Sequence, residues 1–170
     1  PHLAGQEDPR RVDVARFLAG NHLFFLNLIM AAAKAATDWA AEVPGASIVT
    51  GMARNGTTFG IRIGSINEWF VAPAPAVEDA LHHADFGPDD GAPDIGDSAI
   101  LELVGLGGAA AAPSPAVAAF VGGRMNDAVA RTEDMARIST GESSRLKLPF
   151  LDYRGAPLGV DVRRVVELEI

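Results

Sequence analysis

The sequence predicts an α+β fold in which an antiparallel β-meander, at about residues 46–72, packs with Ala-rich helices. Two helical patterns come first, and short strand patterns around an Asn-Gly dipeptide follow them. Ala- and Gly-rich helical segments lie beyond the sheet. Because helices and strands occur in separate runs and do not alternate along the chain, this order favours α+β over a doubly wound α/β fold.

Two helices are expected before the sheet. Asp8 and Pro9 are typical of a helix start, since an acidic N-cap precedes a proline at the first helical position, and Gly20 ends this helix. A second helix is predicted from Asn21 to about Glu42. Its body is mostly apolar with few charges, so we expect it to lie deep in the protein.

The strands of the meander are predicted at residues 47–53, 58–63 and 69–72. Asn55-Gly56, between the first two strands, is the strongest short hairpin signal. A type I′ turn needs positive φ at both central residues, and this dipeptide tolerates it. The sequence therefore predicts a type I′ hairpin.

The elements after the sheet are less regular. An acidic, turn-rich surface loop is predicted at residues 77–94, and Asp97 is expected to cap a helix at residues 98–111. The remaining elements are helices at about 115–121 and 126–138, a strand at 145–149, and an ambiguous segment at 160–170, interpreted as a short helical turn before a strand.

The composition predicts one domain. The chain has 170 residues, a formal net charge of −8, 48% hydrophobic residues and no cysteine. The hydrophobic fraction excludes a disordered chain, and the acidic balance argues against nucleic-acid binding, which needs a basic surface. The lack of cysteine excludes a disulfide scaffold, a thiolate zinc site and a cysteine nucleophile.

The two ends suggest a piece of a larger protein. The chain begins at Pro1 without methionine, and residues 165–170 alternate like a strand that stops without a turn. We therefore expect residues 1–170 to form a single-domain fragment of a longer chain. An Ala-rich core buries little apolar area per residue, which hints at a homo-oligomer or at a missing partner.

Membrane insertion and export are not expected. Residues 103–123 carry no charge and are long enough to span a bilayer, but Pro113 and Pro115 interrupt them. Two buried Ala-rich helices explain this stretch better. Since no signal peptide precedes the domain, we expect a cytoplasmic protein.

No metal or cofactor motif is found in the sequence. None of the four histidines forms a metal-ligand pattern, and His82-His83 belongs to the acidic loop, where solvation is the simpler interpretation. No nucleophile elbow is present, and Gly105-Leu106-Gly107-Gly108 lacks the spacing of a dinucleotide loop. We expect neither a metal nor a cofactor, and no catalytic residue can be named.

The hairpin tip is the first candidate site. The five residues Arg54-Asn55-Gly56-Thr57-Thr58 bring a guanidinium, an amide, two hydroxyls and backbone N–H groups together. A small carboxylate or phosphate binds to such a combination of charge and donors. The alternative is an ordinary hairpin whose arginine is solvated. Arg62 or Arg154 would provide a second cation for a second anion.

A second candidate and a third, weaker one lie further along the chain. Gly96-Asp97-Ser98 is either a helix N-cap or a site whose carboxylate lies at the mouth of a pocket on a helix N-terminus. Arg154-Gly155, together with Asp161, is either a site or a plain turn.

The same stretches carry a family resemblance that covers about residues 16–170. The matching segments include 21–27, 52–57, 69–75, 93–100, 102–108 and 151–155. In these the sequence resembles domain-of-unknown-function family 1116, the YlbE-like proteins. Family members are well over twice this length, which agrees with the ends of the chain.

The resemblance implies a role in carbamoyl or small organic-acid metabolism. Some members are regarded as a subunit of an oxamate carbamoyltransferase in allantoin breakdown, and many are encoded near proteins that resemble acyl-CoA synthetases. It implies a small anionic substrate and either a homo-oligomer or a hetero-complex with such a neighbour. Three alternatives stay open: a carbamoyltransferase subunit, a non-catalytic subunit that supports a partner enzyme, and an enzyme acting on another amide or organic acid.

Overall fold

A computed structural model describes residues 10–21, 23–75, 85, 87–91, 93, 98–110 and 125–169. It confirms the α+β class, with α-helices packed on antiparallel sheets. The helices are α1 (Arg11–Gly20), α2 (Phe24–Ala41), α3 (Met125–Ile138) and α4 (Val162–Glu167). The strands are β1 (Val49–Arg54), β2 (Thr58–Ile63), β3 (Phe70–Pro73), β4 (Ser139–Leu148) and β5 (Arg154–Val160).

The meander forms a three-stranded antiparallel sheet in the order β1-β2-β3, as predicted. Ala53 pairs with Gly60, and Gly60 pairs with Val71. Met52 pairs with Ile61, one position away on both strands. Because side chains alternate across a strand, Met52 and Ile61 share the face that packs on the core, whereas Ala53, Gly60 and Val71 share the opposite face.

The hairpin between β1 and β2 is present, but the type I′ prediction is wrong. Gly56 has a φ of +91°, whereas Asn55 does not have positive φ. Three residues separate the strand ends, and the Asn55 N–H donates to the Thr58 carbonyl at 3.3 Å. The physical reason is the Asn55 side chain, which accepts hydrogen bonds from the following amides and replaces the tight two-residue turn.

The second sheet pairs β4 with β5 and differs from the prediction. β4 is longer than the strand expected at 145–149, and β5 includes Arg154-Gly155, for which the sequence predicts a turn or a site. The order at the end is reversed as well, since a strand precedes the short helix α4. Pro157 and two glycines give β5 the composition of a loop, because proline removes a ladder donor and glycine weakens a strand.

The helix expected at residues 98–111 is instead a pair of 3₁₀ segments, Ala99–Val104 and Gly107–Ala110. Gly105 and Gly107 both have positive φ, at +78° and +64°, which a continuous right-handed helix does not allow. The Glu102 carboxylate reaches forward along the chain and accepts a hydrogen bond from the Gly108 N–H at 2.8 Å. A Cβ on Gly107 would lie 2.1 Å from that carboxylate and would displace it, and the φ of +64° favours glycine at this position in any case.

The core lies where the two sheets meet. Val49, Leu103 and Val160 form its buried centre. The partly buried side chains packed against them are Met52, Ile61, Ile100, Met135, Ile138, Val162 and Val165. A bridge between Ile48 and Asp161 joins the two sheets through the backbone. The core therefore ties β1, the first 3₁₀ segment, α3 and β5 into one unit.

α2 is present, but the expectation that it lies deep is wrong. Its buried residues are Ala33 and Thr37, while Phe25 is 65% exposed and Trp39 is 73% exposed. α2 carries apolar side chains on most of its sides. One side packs on the first 3₁₀ segment and on β1 and is covered there. Composition alone predicts burial without saying which stripe is covered.

Several predictions lie outside the described residues, namely the start at Asp8-Pro9, Asp97, the helix at 115–121 and most of the loop at 77–94. Within the described ranges, no single helix has the length and apolar character needed to cross a membrane. α1 and α2 taken together meet the length and composition criteria, but they are bent by 92° relative to each other.

Candidate functional site

A cavity of about 410 Å³ lies on the meander sheet beside the hairpin. Its walls come from the end of β1, the turn, the start of β2 and the start of β3. The lining residues are Ala53, Arg54, Asn55, Thr58, Gly60, Trp69 and Val71. Ala53, Gly60 and Val71 share the face of the sheet that points away from the core. The sequence predicted Arg54 and Asn55 for this site, and the structure brings both into the cavity wall.

Trp69 lies across two glycines of the sheet. A Cβ on Gly60 would lie 3.2 Å from Trp69 Cε3, and a Cβ on Gly51 would lie 3.2 Å from Trp69 Cη2. Neither glycine has a positive φ, so the backbone conformation does not demand glycine at these positions. Their missing side chains matter because they leave room for the indole, which contacts β1 and β2 directly.

The turn itself uses most of the donors that were expected to bind an anion. Asn55 Oδ1 accepts from the Thr57 N–H at 3.0 Å, from the Thr58 N–H at 2.7 Å and from the Thr57 hydroxyl at 3.1 Å. Asn55 Nδ2 donates to the Thr58 hydroxyl at 2.9 Å. Asn55 and Thr57 therefore shape the turn, and an anion that used the Thr57 donors would compete with Asn55.

The two arginines of the sheet differ in position. Arg54, at the end of β1, is half-buried and lines the cavity. Arg62, at the far end of β2, packs its stem against Gly51 and donates from Nη2 to Asn67 Oδ1 at 2.9 Å. Arg62 contributes to the same side of the sheet as the cavity without being part of its lining.

Arg154 lies in the second sheet and is held by two acids. It donates from Nη1 to Glu133 of α3 at 3.1 Å, and its Nε lies 3.0 Å from a carboxylate oxygen of Glu142 on β4. These contacts tie β5 to α3 and β4. A second-cation role for Arg154 would require an anion to compete with both carboxylates.

The other candidates have structural contacts. Ser98 precedes the first 3₁₀ segment, and its carbonyl accepts from the Leu101 N–H at 2.9 Å. Its predicted partner Asp97 lies outside the described residues. Asp161 is buried and caps α4 by accepting from the Arg163 N–H at 3.0 Å. The Arg163 guanidinium holds the pKa of Asp161 well below its usual range, although burial opposes this shift.

A second cavity, of about 350 Å³, lies between α2 and the β4–β5 sheet. Its walls are mainly apolar and include Ala36, Trp39, Ile48 and Leu158. Glu142 at its edge already pairs with Arg154. In the part of the chain that the structure describes, no three metal-ligating side chains gather in one place.

Sequence reasoning missed Trp69, Gly60 and Val71 as site residues. The available signal was strand register: once Ala53 is opposite Gly60, alternation places Val71 beside Gly60 on the same face. Trp69 lies two positions before Val71 and returns to that face. The small residues at Gly51 and Gly60 then mark where a large ring can lie.

Comparisons with known proteins match a family model over the first part of the chain and individual relatives over nearly all of it. The family model described as oxamate carbamoyltransferase subunit AllG matches residues 2–98. Oxamate carbamoyltransferase subunit AllG of Escherichia coli (strain K12) is 46% identical over 160 residues, which cover 93% of this chain and 38% of the relative. The uncharacterized protein YahG of the same organism is 38% identical over 163 residues, covering 95% of this chain and 34% of YahG.

A solved structure shares the fold. The crystal structure of a conserved protein of unknown function from Enterococcus faecalis V583 matches with a TM-score of 0.86 and 36% identity, over 97% of this chain and 40% of that one. The chain thus spans roughly two fifths or less of the length of these relatives. On the family match over residues 2–98, the chain belongs to the family of the oxamate carbamoyltransferase subunit AllG.

Proposed function

We propose that this chain is part of a carbamoyltransferase subunit, and that the hairpin cavity binds its small organic-acid substrate, oxamate or oxalurate. The observation that carries the proposal is the position of Arg54 in the cavity wall of a chain from the AllG family. A guanidinium recognises a carboxylate through two parallel hydrogen bonds, which fixes orientation as well as charge.

The proposed reaction transfers a carbamoyl group. In the direction of breakdown, a phosphate oxygen attacks the ureido carbonyl of oxalurate, the C–N bond breaks, and the departing nitrogen takes up a proton. The products are carbamoyl phosphate and oxamate. The tetrahedral intermediate carries an oxyanion that preorganised donors stabilise. Arg54 and Arg62, the two arginines of the meander strands, supply positive charge for two anions.

Titration of oxamate, oxalurate and phosphate into the intact protein tests the binding step. Arg54→Lys keeps the charge and loses the planar fork, so we expect substantially weaker oxamate binding. Arg54→Ala should lose about 1.5–3 kcal/mol of binding free energy, the usual value of a charged hydrogen bond. Arg145→Ala is the matched control, because it removes the same charge from an exposed position of β4 outside the cavity.

Two results contradict the proposal. Equal binding by the wild type and both Arg54 variants would show that Arg54 and the hairpin do not bind the anion. The same conclusion follows if none of the three anions binds to the wild-type protein while its fold is intact.

We further propose that the chain works in a complex in the cytoplasm, as a homo-oligomer or with an acyl-CoA-synthetase-like neighbour. The support is the subunit named in the matching family and the exposed apolar side chains of α1 and α2. We also infer that the YlbE-like proteins of domain-of-unknown-function family 1116 include the AllG family.

The alternative to a catalytic subunit is a non-catalytic subunit that assists a partner enzyme. Turnover of oxalurate with phosphate by the intact protein alone favours a catalytic subunit, and turnover that requires its partners favours a shared or supporting role.

A further inference from the structure

Trp69 combines two properties that seldom occur together. The six-membered ring contacts the sheet through the space left by Gly51 and Gly60, which limits its movement toward the backbone. Yet the residue remains 47% exposed, and it lines the cavity beside Arg54 and Asn55. A tryptophan that lies on the sheet and is still open to a cavity offers an aromatic surface to whatever enters.

We propose that Trp69 is a specificity-determining residue that stacks on planar carboxylates and so selects them over carboxylates with a tetrahedral carbon beside the acid group. The inference rests on the proposed binding of an organic acid in this cavity. Aromatic rings stack on flat groups, and because the face of the ring is negative, the neutral amide plane of the acid lies on the indole while its carboxylate lies towards Arg54. Arg54 recognises the charge that all small acids share, and Trp69 recognises flatness, which only some of them have.

The lining supports this division of roles. Val71 and Gly60 flank the indole and provide no polar group from their side chains, while Arg54, Asn55 and Thr58 lie at the hairpin end. A ligand therefore meets charge at one end and an apolar, aromatic wall along its length. Oxamate is a conjugated, flat monoanion that fits this arrangement, whereas lactate has the same charge and similar size but a tetrahedral second carbon.

Binding of oxamate and lactate to the intact protein tests the proposal. The wild type should prefer oxamate, and Trp69→Leu should weaken oxamate binding about five-fold while changing lactate binding less than two-fold. Trp69→Phe retains an aromatic face and should recover most of the preference for oxamate. It also covers the case in which the leucine variant fails to fold.

Gly60→Ala provides an independent disturbance of the same ring. The new methyl group would lie 3.2 Å from Trp69 Cε3, so the indole must move by a few tenths of an ångström, and its contact with Val71 Cγ2 at 3.6 Å would be ordinary. The preference for oxamate should fall without any change to the indole itself. Gly141→Ala is the control, since a Cβ there has nothing within 4 Å and the position lies on β4.

Fluorescence gives a direct readout, because the chain has two tryptophans, Trp39 and Trp69. In Trp39→Phe, oxamate should change the emission of Trp69, and lactate should change it less. In Trp69→Phe, the remaining Trp39 on α2 should not respond.

The outcomes separate this inference from the proposed function. If oxamate binds through Arg54 but Trp69→Leu weakens both acids equally or neither, the stacking role is wrong and the binding site stands. An unchanged emission of Trp69 on saturation with oxamate overturns the stacking role in the same way. If oxamate does not bind to the wild type at all, both proposals fall.

Discussion

The meander sheet and helix α2 each cover one face and expose the other, but what the exposed face carries differs between them. In the sheet, Met52 and Ile61 pack on the core while the opposite face carries a cavity. In α2, the stripe that includes Ala33 and Thr37 is buried, and large side chains such as Phe25 and Trp39 are exposed. Apolar content is therefore a poor guide to where the stability of this chain resides, and strand register is a better one.

The first prediction contrasts a leucine of the core on which the sheet packs, Leu103 in the first 3₁₀ segment, with a leucine of α2. Leu103 is 3% exposed in the core, whereas Leu28 on α2 is 55% exposed. Leu103→Ala should lower the free energy of unfolding by about 2–5 kcal/mol, because it removes buried surface and leaves a cavity. Leu28→Ala, the same chemical change, should alter it by no more than about 0.5 kcal/mol.

Urea unfolding of the two variants and the wild type measures both values. Equal destabilisation by the two substitutions would mean that α2 is part of the stabilising core, and the contrast between sheet and helices would be lost.

The second prediction concerns two aspartates and pH. Asp161 is buried at the junction of the sheets, and Asp13 is exposed on α1 beside Arg16. Asp161→Ala should cost about 2 kcal/mol at neutral pH, because the Arg163 amide and guanidinium lose a charged acceptor. Asp13→Ala should cost well under 1 kcal/mol, as exposed ion pairs contribute little.

The sign of the pH dependence follows from the lowered pKa of Asp161. Its contribution is fully present above the pKa of the unfolded chain, about 3.9, and is lost as pH falls from there towards the lower pKa of the folded state. The stability difference between the wild type and Asp161→Ala should therefore shrink below about pH 4. A difference that stays constant from pH 7 to pH 3 in thermal unfolding would refute the ionic role.

The same comparison explains what the sequence could predict. The meander was predictable because its strands alternate and surround Asn55-Gly56, a local signal. The cavity was predictable in part: Arg54 and Asn55 are adjacent in sequence, whereas Trp69 joins them through pairing of β2 with β3. Contacts of that kind depend on register, which a single sequence does not state.

Other errors have particular physical causes. β5 was missed because Pro157 and its glycines resemble a loop, although its pairing with β4 and the Arg154 ion pairs hold it in place. The continuous helix at 98–111 was wrong because positive φ at Gly105 and Gly107 cannot be inferred from an Ala-rich composition. The prediction that α2 lies deep was wrong because a helix with apolar residues on most sides does not show in its sequence which side is buried.

The last prediction concerns the exposed stripe of α2 and has the smallest expected effect on unfolding. Phe25, Leu28, Ala32, Ala35 and Trp39 follow one another at alternating spacings of three and four residues, and all are exposed. This spacing places them on one side of the helix, as in the seam of a coiled coil. In a purified preparation, we expect a second copy of the chain to cover this stripe.

We therefore expect the wild type to associate at micromolar concentration, and the double variant Phe25→Gln, Leu28→Gln to sediment closer to a monomer. The free energy of unfolding of the monomer should change by no more than about 0.5 kcal/mol, since both side chains are exposed. Asn27→Gln, on the same helix but outside the stripe, is the control and should associate like the wild type. A wild-type protein that sediments as a clean monomer and binds no hydrophobic dye would show that the stripe does not drive self-association. In that case both faces of the sheet would have an assigned role, one in the core and one in the cavity, whereas the exposed face of α2 would have none.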